Sequence, residues 1–303
     1  MGQFTNITAD LALREEAGPR REPVTSHIVI GTPGTILNLE ARRMLDLSNV
    51  RLFVLDEADV MLDKQGMGLQ SIRVRNACPE NAQLVLFSAT FSESVIEFAH
   101  KIIPNANEIT LKRDELSVDA IKQFYMDCDS YPHKKQVLSA LYSLLTVGQS
   151  IIFISTKSAA TEIRDQMTAE GHAVSLLHGD MSPDQRDAVI DEFRRGMTKV
   201  LLTTNVLARG IDVLQVSLVI NFDMPMSLDE GGKRYPDPET YLHRIGRTGR
   251  FGRTGCAINF VHNKESMDAM LAIQEFFGRE IVHIPTHDLE LLESKLMNLN
   301  SSN

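Results

Sequence analysis

The chain has 303 residues, 43% of them hydrophobic and 23% charged, which excludes a disordered polypeptide and leaves room for about two globular domains. A net charge of −9 excludes a broadly basic nucleic-acid coat, although a local basic groove is compatible with an acidic protein. Cys78, Cys128 and Cys256 lie far apart without a Cys-x-x-Cys pair, so neither a disulfide framework nor a zinc site is indicated and a reducing compartment is expected; no apolar run reaches the ~18 residues of a membrane span.

In chain order, Gly2 to Glu22 is polar and carries Gly18-Pro19, predicting a short helix or loose arm. A strand follows at His27–Ile30, then Thr32-Pro33-Gly34, with Pro33 in the first turn of a helix running through Ile36, Leu37 and Leu39. Arg51–Leu55 is an apolar run ending in three carboxylates, Asp56, Glu57 and Asp59. Such a run fits a strand buried on both faces of a parallel sheet, and its carboxyl end is the edge where open α/β sheets bind ligands. A nucleotide and magnesium are expected there: Asp56 to hold the ion largely through water, Glu57 to orient and deprotonate an attacking water. Taken alone, the acids fit a solvated surface cluster equally well. A loop around Gly66 and Gly68, a helix over Leu69–Ala77 and a strand over Gln83–Phe87 come next, closed by Ser88-Ala89-Thr90. Val95, Phe98, Ala99 and Ile102 mark the apolar stripe of another helix, ahead of a strand-like Glu108–Leu111.

Lys112–Asp119 is charged and aperiodic, and the α/β alternation then restarts, so a boundary is placed near Ser117: residues 1–111 form the first domain, 112–120 a linker and 121–303 the second domain. The second has strands at Ser150–Ile154, Ala173–Leu177, Lys199–Thr203, Leu218–Asn221 and Ala257–Val261, with helices between. One helix is marked by several signals: Ser182 as N-cap, Pro183 at the first position, Gln185 completing a capping box, Val189, Ile190 and Phe193 on one face, and Gly196 beyond the end. Right-handed crossovers gather these strands into one parallel sheet covered on both sides. His243–Arg250 reads His-Arg-Ile-Gly-Arg-Thr-Gly-Arg. It is either a generic RNA-binding patch or, with Arg247 and Arg250 one helical turn apart, a pair of guanidiniums that neutralise a transferring γ-phosphoryl group.

Four motifs occur in order: Asp56-Glu57-Ala58-Asp59, Ser88-Ala89-Thr90, Thr203 to Asp212, and the octapeptide. In this they resemble the DEAD-box RNA helicases. Thr35 after Thr32-Pro33-Gly34, Val60 after the tetrad, Leu86 to Phe91, Thr204-Asn205-Val206 and Tyr241-Leu242 resemble the nuclear-pore mRNA-export subfamily. The resemblance implies an α/β fold of two RecA-like parallel-sheet domains that bind ATP with Mg2+ and grip the backbone of single-stranded RNA. It implies magnesium and water-activation roles for Asp56 and Glu57, finger roles for Arg247 and Arg250, and nucleotide contacts from Gly210 and Asp212. Ser88 and Thr90 would reach towards the acids and the octapeptide and, with Asp59 and His243, couple the two states. Thr32, Pro33 and Gly34, with Thr156, Gly179 and Thr204, match RNA-contacting positions, and backbone and hydroxyl contacts suit a binder indifferent to base sequence. Gly34, Gly179 and Gly210 are otherwise explained as turn glycines. A monomer is implied, without membrane insertion, working in cytoplasm and nucleus at the cytoplasmic face of the pore. Its implied partners are a filament nucleoporin on the first domain and an inositol-hexakisphosphate-dependent export factor on the second.

One family feature is missing from the sequence. No Gly-x-x-x-x-Gly-Lys-Ser/Thr loop occurs, and the sole Gly-Lys, Gly232-Lys233, precedes Arg234. In the family that loop lies upstream of the tetrad, and here 55 residues precede Asp56. The expectation is an N-terminally truncated chain whose first domain exposes strand edges and apolar surface and whose ATP affinity is severely lowered. Two functions stay open: an RNA-dependent ATPase of mRNA export, or a non-catalytic isoform or fragment that binds RNA or export factors through the second domain.

Overall fold

The computed structural model describes residues 4–13, 22–63, 67–110, 120–144, 148–204, 216–229, 231–249, 254–288, 290–292 and 294–295. The chain divides into two compact units, 1–109 and 110–303. The expected boundary near Ser117 and nearly all of the expected linker lie outside the described residues.

In the first unit β1 (Ala9–Ala12) runs parallel to β2 (Ile28–Gly31), with Ala9 opposite Ile28 and Ala12 opposite Gly31. This corrects the expected helix or arm over the first 22 residues. Beside β2 the segment can place its backbone groups in a ladder. Gly31 permits the approach, since a Cβ there would sit 2.7 Å from the Ala12 Cβ. Then follow α1 (Pro33–Ala41), β3 (Leu52–Leu55), α2 (Ala58–Asp63), α3 (Met67–Ala77), β4 (Gln83–Leu86) and α4 (Glu93–Ile102). β3 and β4 pair in parallel, Leu52 opposite Gln83. Ala12, Ile36, Leu39 and Val74 form one core cluster, while Leu55, Ala58, Phe98 and Ile102 form another.

Two expectations fail in this unit. β3 is not buried on both faces: Leu52 and Val54 are 54% and 49% exposed, because successive side chains point to opposite faces and the helices cover one. Glu108–Thr110 is not a strand. An apolar pattern becomes a strand only by pairing, and Ile109 stays exposed. The expected exposure of apolar surface is present among the described residues, with Leu11, Ile28, Ile30 and Phe87 also open.

The second unit contains β5 (Ile121–Asp127), α5 (Tyr131–Leu144), β6 (Gln149–Phe153), α6 (Lys157–Ala169), β7 (Val174–Leu177), α7 (Pro183–Arg194), β8 (Val200–Thr203), β9 (Val216–Asn221), β10 (Met226–Leu228), β11 (Arg234–Pro236), α8 (Pro238–Ile245), β12 (Gly255–Val261), α9 (Lys264–Phe277) and β13 (Val282–His283). Seven strands form one sheet in the order β13-β5-β12-β9-β6-β8-β7, every neighbouring pair parallel. Alternate residues face opposite sides. Ile152, Leu202, Ile220 and Ile258 pack beneath α5 and α6, whereas Ala257 and Val261 meet α8 and α9, and Phe153, Leu201 and Val219 meet Phe193 of α7. The capping box is present: Gln185 N donates to Ser182 Oγ and Ser182 N donates to Gln185 Oε1. Gly196, just beyond α7, takes φ 72. The antiparallel β10–β11 hairpin was not anticipated.

Candidate functional site

The tetrad stands where β3 stops. Phe87 N donates to Leu55 O and Ala58 N to Phe87 O, so the β3–β4 ladder continues one step past the strands. Glu57 then turns the chain with φ 51. A non-glycine residue in this region is strained by about 1 kcal/mol or more, a signature of sites whose geometry is imposed by their surroundings. Asp56 is exposed, and one carboxylate oxygen accepts the Glu57 N–H at 2.9 Å. A single solvent-facing carboxylate suits a cation that keeps most of its water, as magnesium does. No cluster of three or more metal-ligating side chains exists among the described residues.

Asp59 points inward and is 1% exposed. Its N–H donates to Ser88 Oγ at 3.2 Å, Ser88 Oγ donates to Thr90 O at 2.7 Å, and Thr90 Oγ1 donates to Asp59 Oδ2 at 2.9 Å. Ser88-Ala89-Thr90 is therefore tied to the third acid of the tetrad.

Thr32 precedes α1 as its N-cap, Pro33 takes the first helical turn, and Thr32 Oγ1 lies 3.0 Å from Thr35 Oγ1. Gly34 is a helical residue, not a turn glycine. A Cβ there would lie 3.0 Å from the Gln70 Oε1, the movable end of a side chain that can give way, so the space around Gly34 does not by itself require glycine.

In the second unit Thr156, Gly179 and Thr204 follow β6, β7 and β8. Those three strands are neighbours in the order β6-β8-β7 and run parallel, so the three residues share one stretch of the carboxyl edge. Thr156 caps α6, its Oγ1 accepting from Ala159 N at 3.3 Å. Gly179 O accepts from Arg186 Nη2 at 2.7 Å. Lys157 and Asp180, each one residue further along, form a 2.8 Å ion pair that bridges the two loops and holds the Asp180 carboxyl below its ordinary pKa.

The described part of the octapeptide, residues 243–249, does not form an exposed basic patch. His243, Arg244, Arg247 and Thr248 are all buried. Arg244 Nη1 donates to Asn221 Oδ1 at 2.9 Å and to Asp223 O at 2.8 Å, and its guanidinium lies 4.9 Å from the Phe153 ring centroid. Burial lowers its pKa to about 10. Three residues earlier on the same helix, Tyr241 OH donates to Gln123 Oε1 at 2.8 Å, and Asn259 Nδ2 donates to Tyr241 OH at 3.1 Å. Asn221 Nδ2 donates to Asn259 Oδ1 at 2.8 Å, closing a side-chain ladder across β5, β12 and β9. Thr248 Oγ1 donates to Val216 O, so the segment runs back along β9 from its carboxyl end to its first residue.

Arg247 lies beyond the end of its helix, so no helical turn carries it. The helix ends at Ile245 with Gly246 as its cap, and Gly249 takes φ 71. A Cβ on Gly249 would lie 2.8 Å from Ile121 Cγ1, so glycine is required both by conformation and by space. Arg247 Nε donates to His243 O at 3.0 Å. Arg250, Gly210 and Asp212 lie outside the described residues.

Sequence reasoning passed over Asp223 and Lys134. Asp223 accepts from Lys134 Nζ at 3.1 Å through Oδ1 and from Ser155 N at 2.8 Å through Oδ2. The signal that pointed to Asp56, a carboxylate just past an apolar strand, is repeated at Val216–Asp223.

Residues 4–98 match the DEAD/DEAH box helicase family, and residues 133–252 match the helicase conserved C-terminal domain. The ATP-dependent RNA helicase dbp5 of Schizosaccharomyces pombe is 56% identical over 298 residues, which are 98% of this chain and 58% of that protein. Among solved structures, S. cerevisiae Dbp5 bound to RNA and ADP BeF3 has a TM-score of 0.89 and 49% identity, covering 98% of this chain and 75% of that one. A variant of S. cerevisiae Dbp5 bound to Nup159, a Gle1 variant, IP6 and ADP has a TM-score of 0.65 and 44% identity, covering 99% of this chain and 76% of that one.

Proposed function

The chain belongs to the DEAD/DEAH box helicases, and from that membership we propose that it works as an ATP-dependent RNA helicase, remodelling RNA–protein complexes in mRNA export at the nuclear pore. The observation that carries this is the joint presence of two placements. Asp56 and Glu57 stand at the end of β3 with Asp59 locked to Ser88 and Thr90, and Thr156, Gly179 and Thr204 share the edge of β6, β8 and β7.

Glu57 orients the attacking water and takes its proton, and its fixed backbone turn holds the carboxylate in place. Asp56 would hold Mg2+ largely through water, and the ion would supply charge neutralisation on the phosphates. Arg247 and Arg250 act on the transferring phosphoryl group, and Gly210 and Asp212 contact the nucleotide. Asp59, Ser88, Thr90 and His243 relay nucleotide state to RNA grip. Thr32, Pro33, Gly34, Thr156, Gly179 and Thr204 meet phosphate and 2′-hydroxyl groups, contacts that carry no base information. The partners proposed are single-stranded RNA, a filament nucleoporin for residues 1–109 and an inositol-hexakisphosphate-dependent export factor for residues 110–303, at the cytoplasmic face of the pore. The solved complexes of the S. cerevisiae relative with RNA and with Nup159, Gle1 and IP6 support this set.

The test is phosphate release by the purified chain with and without poly(U). Because no Gly-x-x-x-x-Gly-Lys-Ser/Thr loop stands in the sequence, ATP is supplied in large excess, and release that rises with RNA and disappears in Glu57→Gln is the expected result. RNA binding without turnover would replace catalysis by binding through residues 110–303.

A further inference from the structure

We propose that Lys134 is a positioning residue that sets the RNA-contacting loop after β6 and the arginine-bearing end of α8 as one piece, acting through Asp223. The inference rests on the RNA-binding reading of Thr156 above. Lys134 lies in α5, is 1% exposed, and donates from Nζ to Phe222 O at 2.6 Å as well as to Asp223 Oδ1. Its ammonium sits 5.2 Å from the Tyr131 ring centroid and 5.1 Å from that of Phe222.

Asp223 distributes its polar atoms between two functional segments. Oδ2 accepts the backbone N–H of Ser155, the residue before Thr156. The main-chain carbonyl accepts Arg244 Nη1, three residues before Arg247. Its own N–H donates to Phe153 O, extending β9 alongside β6. Oδ1 is held by Lys134 alone among the described residues. The carboxylate thus has one oxygen for the loop and one for the buried cation. Its position depends on both.

An ammonium this deeply buried is a poor means of adding stability, because taking it out of water costs several kcal/mol that a well-packed apolar residue would not incur. Burial indeed lowers the pKa of Lys134. What a charge in this place can supply, and a methylene cannot, is a fixed direction for the carboxylate that it faces. Without it, Asp223 Oδ1 loses the cation that it faces, and the Asp223 side chain is only partly buried. The side chain then turns towards water and takes the Ser155 contact with it. Since Arg244 holds the same residue by its carbonyl, the loop and the helix end lose their common reference together.

The experiment uses the whole chain with Lys134→Met, Lys134→Arg, Thr156→Ala and the Lys134→Met/Thr156→Ala pair. Hydrogen exchange tests the positioning directly. The amides of Ser155 and of Gly246 to Thr248 are expected to lose protection together in Lys134→Met and to regain it in Lys134→Arg, while the central residues of β8 and β12 keep theirs. Unchanged protection at Ser155 would overturn the inference whether or not the chain binds RNA. The second measurement is anisotropy of a labelled oligouridylate well below the melting temperature. Lys134→Met is expected to weaken binding about tenfold without changing the slope of log Kd against log salt, because no phosphate contact is lost. Thr156→Ala is expected to add little to it, since both changes act on one loop. Binding equal to the unsubstituted chain, full additivity with Thr156→Ala, or a salt slope reduced by about one would each overturn the role. Failure of the unsubstituted chain to bind the oligomer would count against the RNA reading, and the exchange result would still decide the positioning. Should Lys134→Met not fold, Lys134→Gln, which keeps a donor and drops the charge, takes its place in every arm.

Discussion

Asp59 and Arg244 are both 1% exposed, and each belongs to a motif recognisable in the sequence, but they are held in place by different means. Asp59 is bonded to a neighbouring motif: Ser88 Oγ accepts its N–H and Thr90 Oγ1 donates to its carboxylate, beside a two-stranded parallel ladder with one apolar face open. Arg244 is fixed through a ladder of Asn221, Asn259 and Gln123, residues of no recognised motif set on three strands of a seven-stranded sheet, with Tyr241 of its own helix bridging Asn259 and Gln123. In the first unit the motifs hold one another, and in the second the sheet holds the motif. Damage should therefore stay local in residues 1–109 and spread in residues 110–303.

The largest expected effect breaks the second arrangement. Arg244→Ala removes a buried guanidinium, leaves Asn221 Oδ1 and Asp223 O without that donor, and opens a cavity beside Phe153. A loss of about 3–5 kcal/mol is expected, measured by urea unfolding of residues 110–303 followed by circular dichroism. A loss under about 1 kcal/mol would show that the ladder does not secure α8. The next effect tests the first arrangement. Thr90→Val removes one hydrogen bond to a buried carboxylate at nearly constant volume, a change of about 1.5–3 kcal/mol. It should appear in the transition of residues 1–109 and leave that of residues 110–303 where it was. A shift in both transitions would contradict the local character of the Asp59 bonds.

How much could be read beforehand follows the same division. Ser150–Ile154, Lys199–Thr203 and Leu218–Asn221 were legible as strands because β6, β8 and β9 are central and buried on both faces, and such strands read as unbroken apolar runs. β5 was missed: Ile-Lys-Gln-Phe-Tyr-Met-Asp buries Ile121, Phe124 and Met126 without strict alternation. The acids were legible at once, since a carboxylate cluster after an apolar run needs no partner to be noticed. The Arg244 ladder was not, because Asn221 and Asn259 are 38 residues apart and become neighbours only through the β9–β12 register. The helical turn expected at Arg247 fails for a local reason. Residues three apart share a helix face only while the helix lasts, and this one stops at Ile245.

A smaller effect separates local capping from either motif. Ser182→Ala removes the side-chain acceptor of the α7 capping box and should cost about 1 kcal/mol, read as a lower urea midpoint for residues 110–303 with oligouridylate affinity unchanged. Loss of RNA affinity in this variant would mean that α7, whose Arg186 reaches Gly179 O, transmits its fraying to the loop after β7.

The smallest expected effect is the sharpest comparison of the two sheets, because the same chemical change is made in both. Val54 of β3 is half-exposed, whereas Val219 of β9 is fully buried beneath Phe193. Valine and threonine have nearly the same shape and both favour strands, so the substitution exchanges a methyl for a hydroxyl and little else. At Val219 that hydroxyl is taken from water and should cost about 1–3 kcal/mol. At Val54 the hydroxyl stays in water, so Val54→Thr should lie within about 0.5 kcal/mol of the unsubstituted chain, with solubility raised by the loss of an open apolar side chain. A cost at Val54 approaching that at Val219 would mean that the open face of β3 is covered in solution, and it would remove the contrast on which the local reading of the tetrad depends.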